Sequence, residues 1–206
     1  MNDIFPKLEN LPFFTLEALR SLLGKNPLPA VKYNLKIGKL VRLKKGVYVS
    51  CEFLKKIKYQ GKYQDYLEFL ASSLISPSYL SFEYMLAKYA LLSEAPFTLT
   101  AITTKTPRII KNSLGTFVYY NIKGELFSGF KIVERPPFKI LVASRPKALF
   151  DYLYLRKRIF RTVNAEVVRE LRLNLDELTA GDWQELQEYL ALGKSKKLES
   201  IFKFLR

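Results

Sequence analysis

The sequence predicts an α+β protein, with an N-terminal winged helix-turn-helix over residues 1–58 and a mixed α/β domain over residues 59–206. Three observations lead to this prediction. The first sixty residues read as helix, tight connection, helix and short basic hairpin. The middle of the chain alternates between apolar and polar residues, as β-strands do, and amphipathic helices flank it. We therefore expect the second domain to hold a mainly antiparallel sheet with flanking helices.

Composition supports a folded protein and narrows its location. Of the 206 residues, 49% are apolar, which is enough to fill a core. No apolar run approaches the ~18 residues of a membrane span, so we expect no membrane partner. The first ten residues lack the basic-then-apolar pattern of a secretion signal. The single cysteine, Cys51, cannot form an internal disulfide. Together these features favour the cytoplasm.

The sequence has no histidine, which removes the commonest general base and the usual zinc ligand. No acid is followed two positions later by lysine, and no Asp-x-Asp or Asp-x-Glu occurs. No glycine-rich phosphate loop is present either. We therefore expect no catalytic residues, no metal site, no cofactor and no enzymatic activity.

Positive charge is concentrated at the start of the chain. The formal net charge is +15, and residues 1–62 hold 13 Lys and Arg against 4 Asp and Glu, a net of +9. A basic domain of this size most often binds a polyanion, and nucleic acid is the leading candidate. The alternative is a lysine-rich surface that only faces water.

Two short helices are predicted in this basic region. Thr15 is a suitable N-cap for the first, which ends at Gly24 and places Leu16, Leu19, Leu22 and Leu23 on one face. The second begins at about Pro27 or Pro29 and ends at Lys36 or Ile37. Its inward residues are Leu28, Val31 and Leu35.

A basic hairpin is predicted after the second helix. Residues 40–43 and 46–49 read as strands, with Lys44, Lys45 and Gly46 as the turn. In the winged helix-turn-helix order, the second helix enters the major groove and presents Lys32, Tyr33 and Lys36, while the hairpin contacts the backbone. Affinity for DNA should then fall steeply with salt. The candidate DNA-binding residues are Lys25, Asn26, Lys32, Tyr33, Lys36, Lys39, Arg42, Lys44 and Lys45. Tyr48 could equally pack beneath the hairpin or touch DNA.

The remaining chain is predicted as a linker followed by helices and strands. The linker is placed at residues 51–61, which are rich in lysine. Helices are expected at 63–75, 82–92, 145–157, 164–173, 182–191 and 195–205. Strands are expected at 97–103, 108–110, 116–120, 130–133 and 138–143. Ser81 and Ser144 are expected to cap helices, and Lys147 is spaced to form an intrahelical ion pair with Asp151.

Four segments, taken in order, resemble one family. The first is Leu35 to Tyr48, with the pattern Leu-x-x-Gly-x-Leu-x-Arg-x-x-x-Gly-Val-Tyr. The second combines Tyr79 to Glu83, Leu91-Leu92 and Thr98 to Thr104, and the last two are Leu114 to Tyr119 and Ala143 to Leu153. Over roughly residues 10–160 the chain resembles AbiEi-type transcriptional regulators, the antitoxins of type IV (AbiE) toxin–antitoxin systems of abortive infection. The resemblance implies a repressor that binds inverted repeats in the promoter of its own operon. It also implies that the C-terminal domain counters a nucleotidyltransferase-like toxin.

Two other functions remain open from the sequence. The aromatic-rich C-terminal region and its basic amphipathic tail would suit a module that binds a protein partner. A nucleic-acid enzyme with an unrecognised carboxylate site is the other alternative.

Overall fold

The fold is given by a computed structural model, which describes residues 5–94 and 96–205. The chain combines helices with two sheets, so the predicted α+β class is confirmed. It divides into two compact units. The first unit holds the residues up to Leu67 together with Ile110–Thr116, and the second holds Glu68–Ile109 together with the residues from Phe117 onward.

The first unit is built on a small three-stranded antiparallel sheet. The strand order is β1-β3-β2, and Phe14 lies opposite Tyr48. Its elements are α1 (Phe5–Leu8), β1 (Phe14–Thr15), α2 (Leu16–Leu23), α3 (Leu28–Lys36), β2 (Leu40–Lys44), β3 (Val47–Ser50), α4 (Cys51–Tyr59) and the start of α5 (Tyr63–Ser73). The core beneath α2 and α3 consists of Leu8, Phe14, Leu19, Val31, Leu40 and Tyr48.

Helix α2 begins as predicted but buries a narrower face than expected. The Thr15 hydroxyl accepts a hydrogen bond from the backbone N–H of Ala18 at 3.0 Å, which confirms the N-cap. Leu19 is buried, whereas Leu22 is 68% exposed. Leu22 was predicted to lie on the same face as Leu16 and Leu19, but it lies outside the core that contains Leu19 and packs against Leu16, so this part of the prediction is wrong.

Helix α3 and the strands of the hairpin after it lie within one residue of the predicted bounds, with Lys44 in β2 and not in the turn. Val31 is fully buried, and β2 pairs with β3 in antiparallel register. The turn glycine, Gly46, has φ +77°, a conformation that glycine adopts without strain. Sequence patterning missed Asn34, which is buried and donates its side-chain N–H to the carbonyl of Ala30 at 2.9 Å.

The predicted linker is wrong, because residues 51–59 form helix α4. The Ser50 hydroxyl accepts the N–H of Phe53 at 3.0 Å and caps the helix. Phe53, Leu54 and Ile57 are buried on one side of it. Their spacing of one, three and four residues is helical, but the lysines between them obscured the pattern.

The second unit contains most of a six-stranded mixed sheet of order β6-β7-β5-β4-β9-β8. Pairs β4–β9 and β5–β7 are parallel, and pairs β4–β5 and β8–β9 are antiparallel. Apart from Ile110–Thr116, which belong to the first unit, the elements are the rest of α5, β4 (Ser78–Leu80), α6 (Phe82–Lys88), β5 (Leu99–Thr103), β6 (Arg108–Asn112), β7 (Gly115–Asn121), a 3-10 helix (Gly124–Leu126), β8 (Phe130–Arg135), β9 (Phe138–Ala143), α7 (Arg145–Arg156), α8 (Ala165–Arg169), α9 (Ala180–Gly193) and α10 (Lys196–Lys203).

Helix α7 lies at the centre of this unit. The Ser144 hydroxyl accepts the N–H of Lys147 at 3.2 Å, which confirms the predicted cap. All residues from Pro146 to Leu153 are buried, because α7 packs against both α6 and α9. Strand β4 was not predicted. It is only three residues long and buried throughout, so it shows no alternation.

Candidate nucleic-acid interface

Helix α3 presents a basic face opposite its buried side. Lys32, Tyr33 and Lys36 are all exposed, and Tyr33 exposes 62% of its surface. Because Val31 anchors the helix in the core, these three side chains are held on its outer side. Lys39, which follows the helix, is also exposed. The structure therefore brings four of the candidate DNA-binding residues together at α3.

The connection before α3 holds two more candidates, Lys25 and Asn26, and both are exposed. The side-chain oxygen of Asn26 accepts the backbone N–H of Leu28 at 3.1 Å. Asn26 thus fixes the start of α3, which is a structural role in its own right.

The last three candidates, Arg42, Lys44 and Lys45, lie at the hairpin turn and differ in their exposure and contacts. Lys45 is exposed at the tip, and Lys44 is half-buried. The Arg42 side chain is exposed, and its Nε donates to the carbonyl of Lys44 at 3.4 Å. The strand register shifts between Arg42 and Lys44, and this irregularity sets their orientations.

Two further residues support the hairpin from within the first unit. Tyr48 is 6% exposed and its ring lies 6.1 Å from that of Phe14, so it packs in the core. Asn112 donates its side-chain N–H to the carbonyl of Leu43 at 2.9 Å. Sequence reasoning missed Asn112 because the two residues are far apart in the chain.

The basic surface carries charge that acidic neighbours do not neutralise. Within residues 5–94 and 96–205, no carboxylate lies within ion-pair distance of Lys32, Lys36, Lys39 or Lys45. Unpaired exposed cations raise the local positive potential and attract polyanions.

A second group of charges is buried in the second unit. Lys147 Nζ lies 2.7 Å from Asp151 Oδ1, and neither side chain is exposed, which confirms the predicted ion pair. Asp151 Oδ2 also accepts from the hydroxyls of Ser81 at 2.7 Å and Tyr79 at 3.0 Å. Lys147 donates to the carbonyl of Leu126 at 2.8 Å. Both charged side chains are therefore shielded from water.

Burial and hydrogen bonding oppose each other at Asp151. Burial raises the pKa of the Asp151 carboxyl, while Lys147, Ser81 and Tyr79 act to lower it. The sequence showed an acid and a lysine four residues apart, but the burial of both was not predicted.

Sequence reasoning also missed Glu68, a buried acid at the start of the second unit. Its carboxylate accepts the Tyr84 hydroxyl at 2.6 Å, Lys88 Nζ at 2.5 Å and Arg135 at 3.2 Å. These bonds join α5, α6 and β8. Among the residues described, no three acidic or cysteine side chains are grouped so as to hold a metal ion.

Comparison with known proteins does not assign this chain to a family. No family model matches the sequence, and no curated protein is significantly similar to it. The helices in the described ranges include none with the length and apolar character needed to cross a membrane.

Proposed function

We propose that this chain is a sequence-specific DNA-binding transcriptional repressor of the AbiEi type, whose first unit is a winged helix-turn-helix. The observation that carries the proposal is the exposed, unpaired basic face of α3, followed directly by an antiparallel hairpin with a lysine at its tip. In this proposal the protein binds inverted repeats in its own promoter and serves as the antitoxin of a type IV system.

Helix α3 supplies the proposed contacts to bases. The major groove of B-DNA is wide enough to admit an α-helix, and lysine can donate hydrogen bonds there to the O6 and N7 atoms of guanine. Lys32 and Lys36 are four residues apart, so both reach the same groove from one face. Tyr33, between them, can donate to a base edge or a phosphate.

The hairpin and the flanking residues supply the proposed backbone contacts. Lys45 and Arg42 are exposed near the turn, and Lys25 and Lys39 flank α3 at its two ends. Contacts of this kind fix the position of a protein on the duplex but do not read sequence.

The double variant Lys32→Ala/Lys36→Ala tests the proposal in a gel-shift assay with the DNA upstream of the gene. We expect operator affinity to fall at least about 10-fold, because each good base contact is worth roughly 1–3 kcal/mol. Both side chains are exposed, so the fold should be unaffected.

The matched control is Lys131→Ala/Lys203→Ala, which removes two exposed lysines from the second unit. It lowers the net charge by as much as Lys32→Ala/Lys36→Ala does, and it should leave operator affinity within about 3-fold of wild type. Equal affinity of the α3 variant and this control would exclude α3 as the recognition helix.

A further inference from the structure

The outer side of α4 carries a basic and aromatic surface that the proposed duplex interface does not use. We define the α4 surface as Lys55, Lys56, Lys58 and Tyr59. All four are exposed, and Tyr59 exposes 95% of its surface. The run from Lys55 to Tyr63 holds four lysines, two tyrosines and no acid.

The lysines of the α4 surface are held loosely enough to exchange partners. Lys55 pairs with Glu52 at 2.7 Å, but the two side chains are 71% and 56% exposed. Exposed pairs of this kind contribute little, so a phosphate can replace the carboxylate. Lys56 donates to the side-chain oxygen of Asn10 at 3.2 Å, a neutral group. Lys58 Nζ lies 4.8 Å from the centre of the Tyr63 ring.

The exposed ring of Tyr59 determines which nucleic acid suits this surface. In a duplex, the faces of the bases are already stacked on one another, so a side-chain ring can reach them only by separating two stacked base pairs, which costs a few kcal/mol. A single strand offers unpaired bases, and stacking of a base on an aromatic side chain is favourable whatever the sequence. Lysines beside the ring would contact the phosphates that flank the stacked base.

We propose that the α4 surface binds single-stranded nucleic acid, with a base stacked on Tyr59 and phosphates contacted by Lys55, Lys56 and Lys58. The site goes beyond the proposed repressor function and does not depend on it. It is held in place by the buried side of α4, where Phe53, Leu54 and Ile57 fix the helix in the first unit.

Fluorescence anisotropy of the full chain with labelled (dT)20 at low salt tests the site. We expect Tyr59→Ala to weaken binding roughly 5- to 150-fold, the range for loss of one stacked base. Tyr59→Phe keeps the ring and should bind within about 2-fold of wild type. Phe97→Ala, which removes an equally exposed ring from the second unit, is the matched control and should have no effect.

A strand of the same length without bases separates stacking from phosphate binding. Wild type should prefer (dT)20 to the abasic strand, and Tyr59→Ala should bind the two alike. Lys55→Gln/Lys58→Gln should reduce the salt dependence of (dT)20 binding by about 0.7 for each phosphate that the variant no longer neutralises.

Three results would overturn the proposal: no binding of (dT)20, equal affinities of wild type and Tyr59→Ala, or an equal loss of duplex and single-strand binding in Tyr59→Ala. The last result would mean that Tyr59 contacts the phosphate backbone of the nucleic acid and not a base. Failure of the repressor function is seen separately, as unchanged operator binding by the α3 variant.

Discussion

Lys147 and Asp151 show how a single ion pair can be tolerated inside a protein. Both side chains are fully buried, and desolvating two charges costs several kcal/mol per ion. The cost is offset because Asp151 accepts from Ser81 and Tyr79 in addition to Lys147, and Lys147 also donates to a carbonyl. Such a pair adds little net stability, but losing one partner leaves an uncompensated charge.

Replacement of Lys147 by methionine should therefore destabilise the protein by about 3–5 kcal/mol. Adding Asp151→Asn should restore part of this loss, because an amide keeps acceptor capacity for Ser81 and Tyr79 without the charge. Urea unfolding of wild type, both single variants and the double variant measures the interaction.

The control for this comparison of single and double variants is Lys139→Met, which removes one partner of an exposed ion pair in the same unit. Lys139 and Glu134 lie 3.1 Å apart with 73% and 66% of their side chains exposed. That change should alter stability by less than about 0.5 kcal/mol. Effects of Lys147→Met and Asp151→Asn that add within about 0.5 kcal/mol would contradict the role given to the pair.

At the scale of elements, prediction succeeded where one local signal was clear. Helices α2, α3 and α7 were predicted from an N-cap or proline followed by regular apolar spacing, and the hairpin from a basic turn with glycine. Helix α4 was mistaken for a linker, because its lysines outweighed its three buried apolar residues. Strand β4 was missed because three buried residues carry no periodicity.

The hairpin between β2 and β3 should contribute to affinity for all DNA sequences alike. We expect Lys44→Ala/Lys45→Ala to weaken binding to operator and unrelated duplex, because phosphate contacts carry no sequence information. The slope of log affinity against log salt should become shallower by about 0.9 for each phosphate that the hairpin no longer neutralises.

Fluorescence titration over a series of salt concentrations measures that slope. Lys131→Ala/Lys203→Ala again serves as the control of equal charge and should leave the slope unchanged. An unaltered slope in the hairpin variant would show that the hairpin does not meet the phosphate backbone.

At the scale of the whole molecule, the two units differ in how their charges are used. The first unit exposes unpaired lysines around α3, whereas the second buries paired charges at Glu68 and at Lys147 with Asp151. This division is consistent with a proposal in which one unit binds nucleic acid and the other has a separate task.

That task, in our proposal, is to counter a toxin. Co-expression of this chain with a nucleotidyltransferase-like reading frame from the same operon should restore growth that the toxin alone arrests. Because repression could mimic rescue, both genes should be driven from unrelated promoters, and the Lys32→Ala/Lys36→Ala variant should rescue as well as wild type. Growth arrest that persists with the chain present would exclude the antitoxin role.

The sequence alone determined the charge, the two helices before the basic hairpin and the i, i+4 spacing of Lys147 and Asp151. These are local properties, since caps, turns and periodicity depend on neighbours in the chain. Only the tertiary structure decided that Asn112 supports the hairpin, that Glu68 meets Lys88 and Arg135, and that both residues of the Lys147 pair are shielded from water. Such contacts join residues distant in sequence, and burial depends on how whole elements pack against one another.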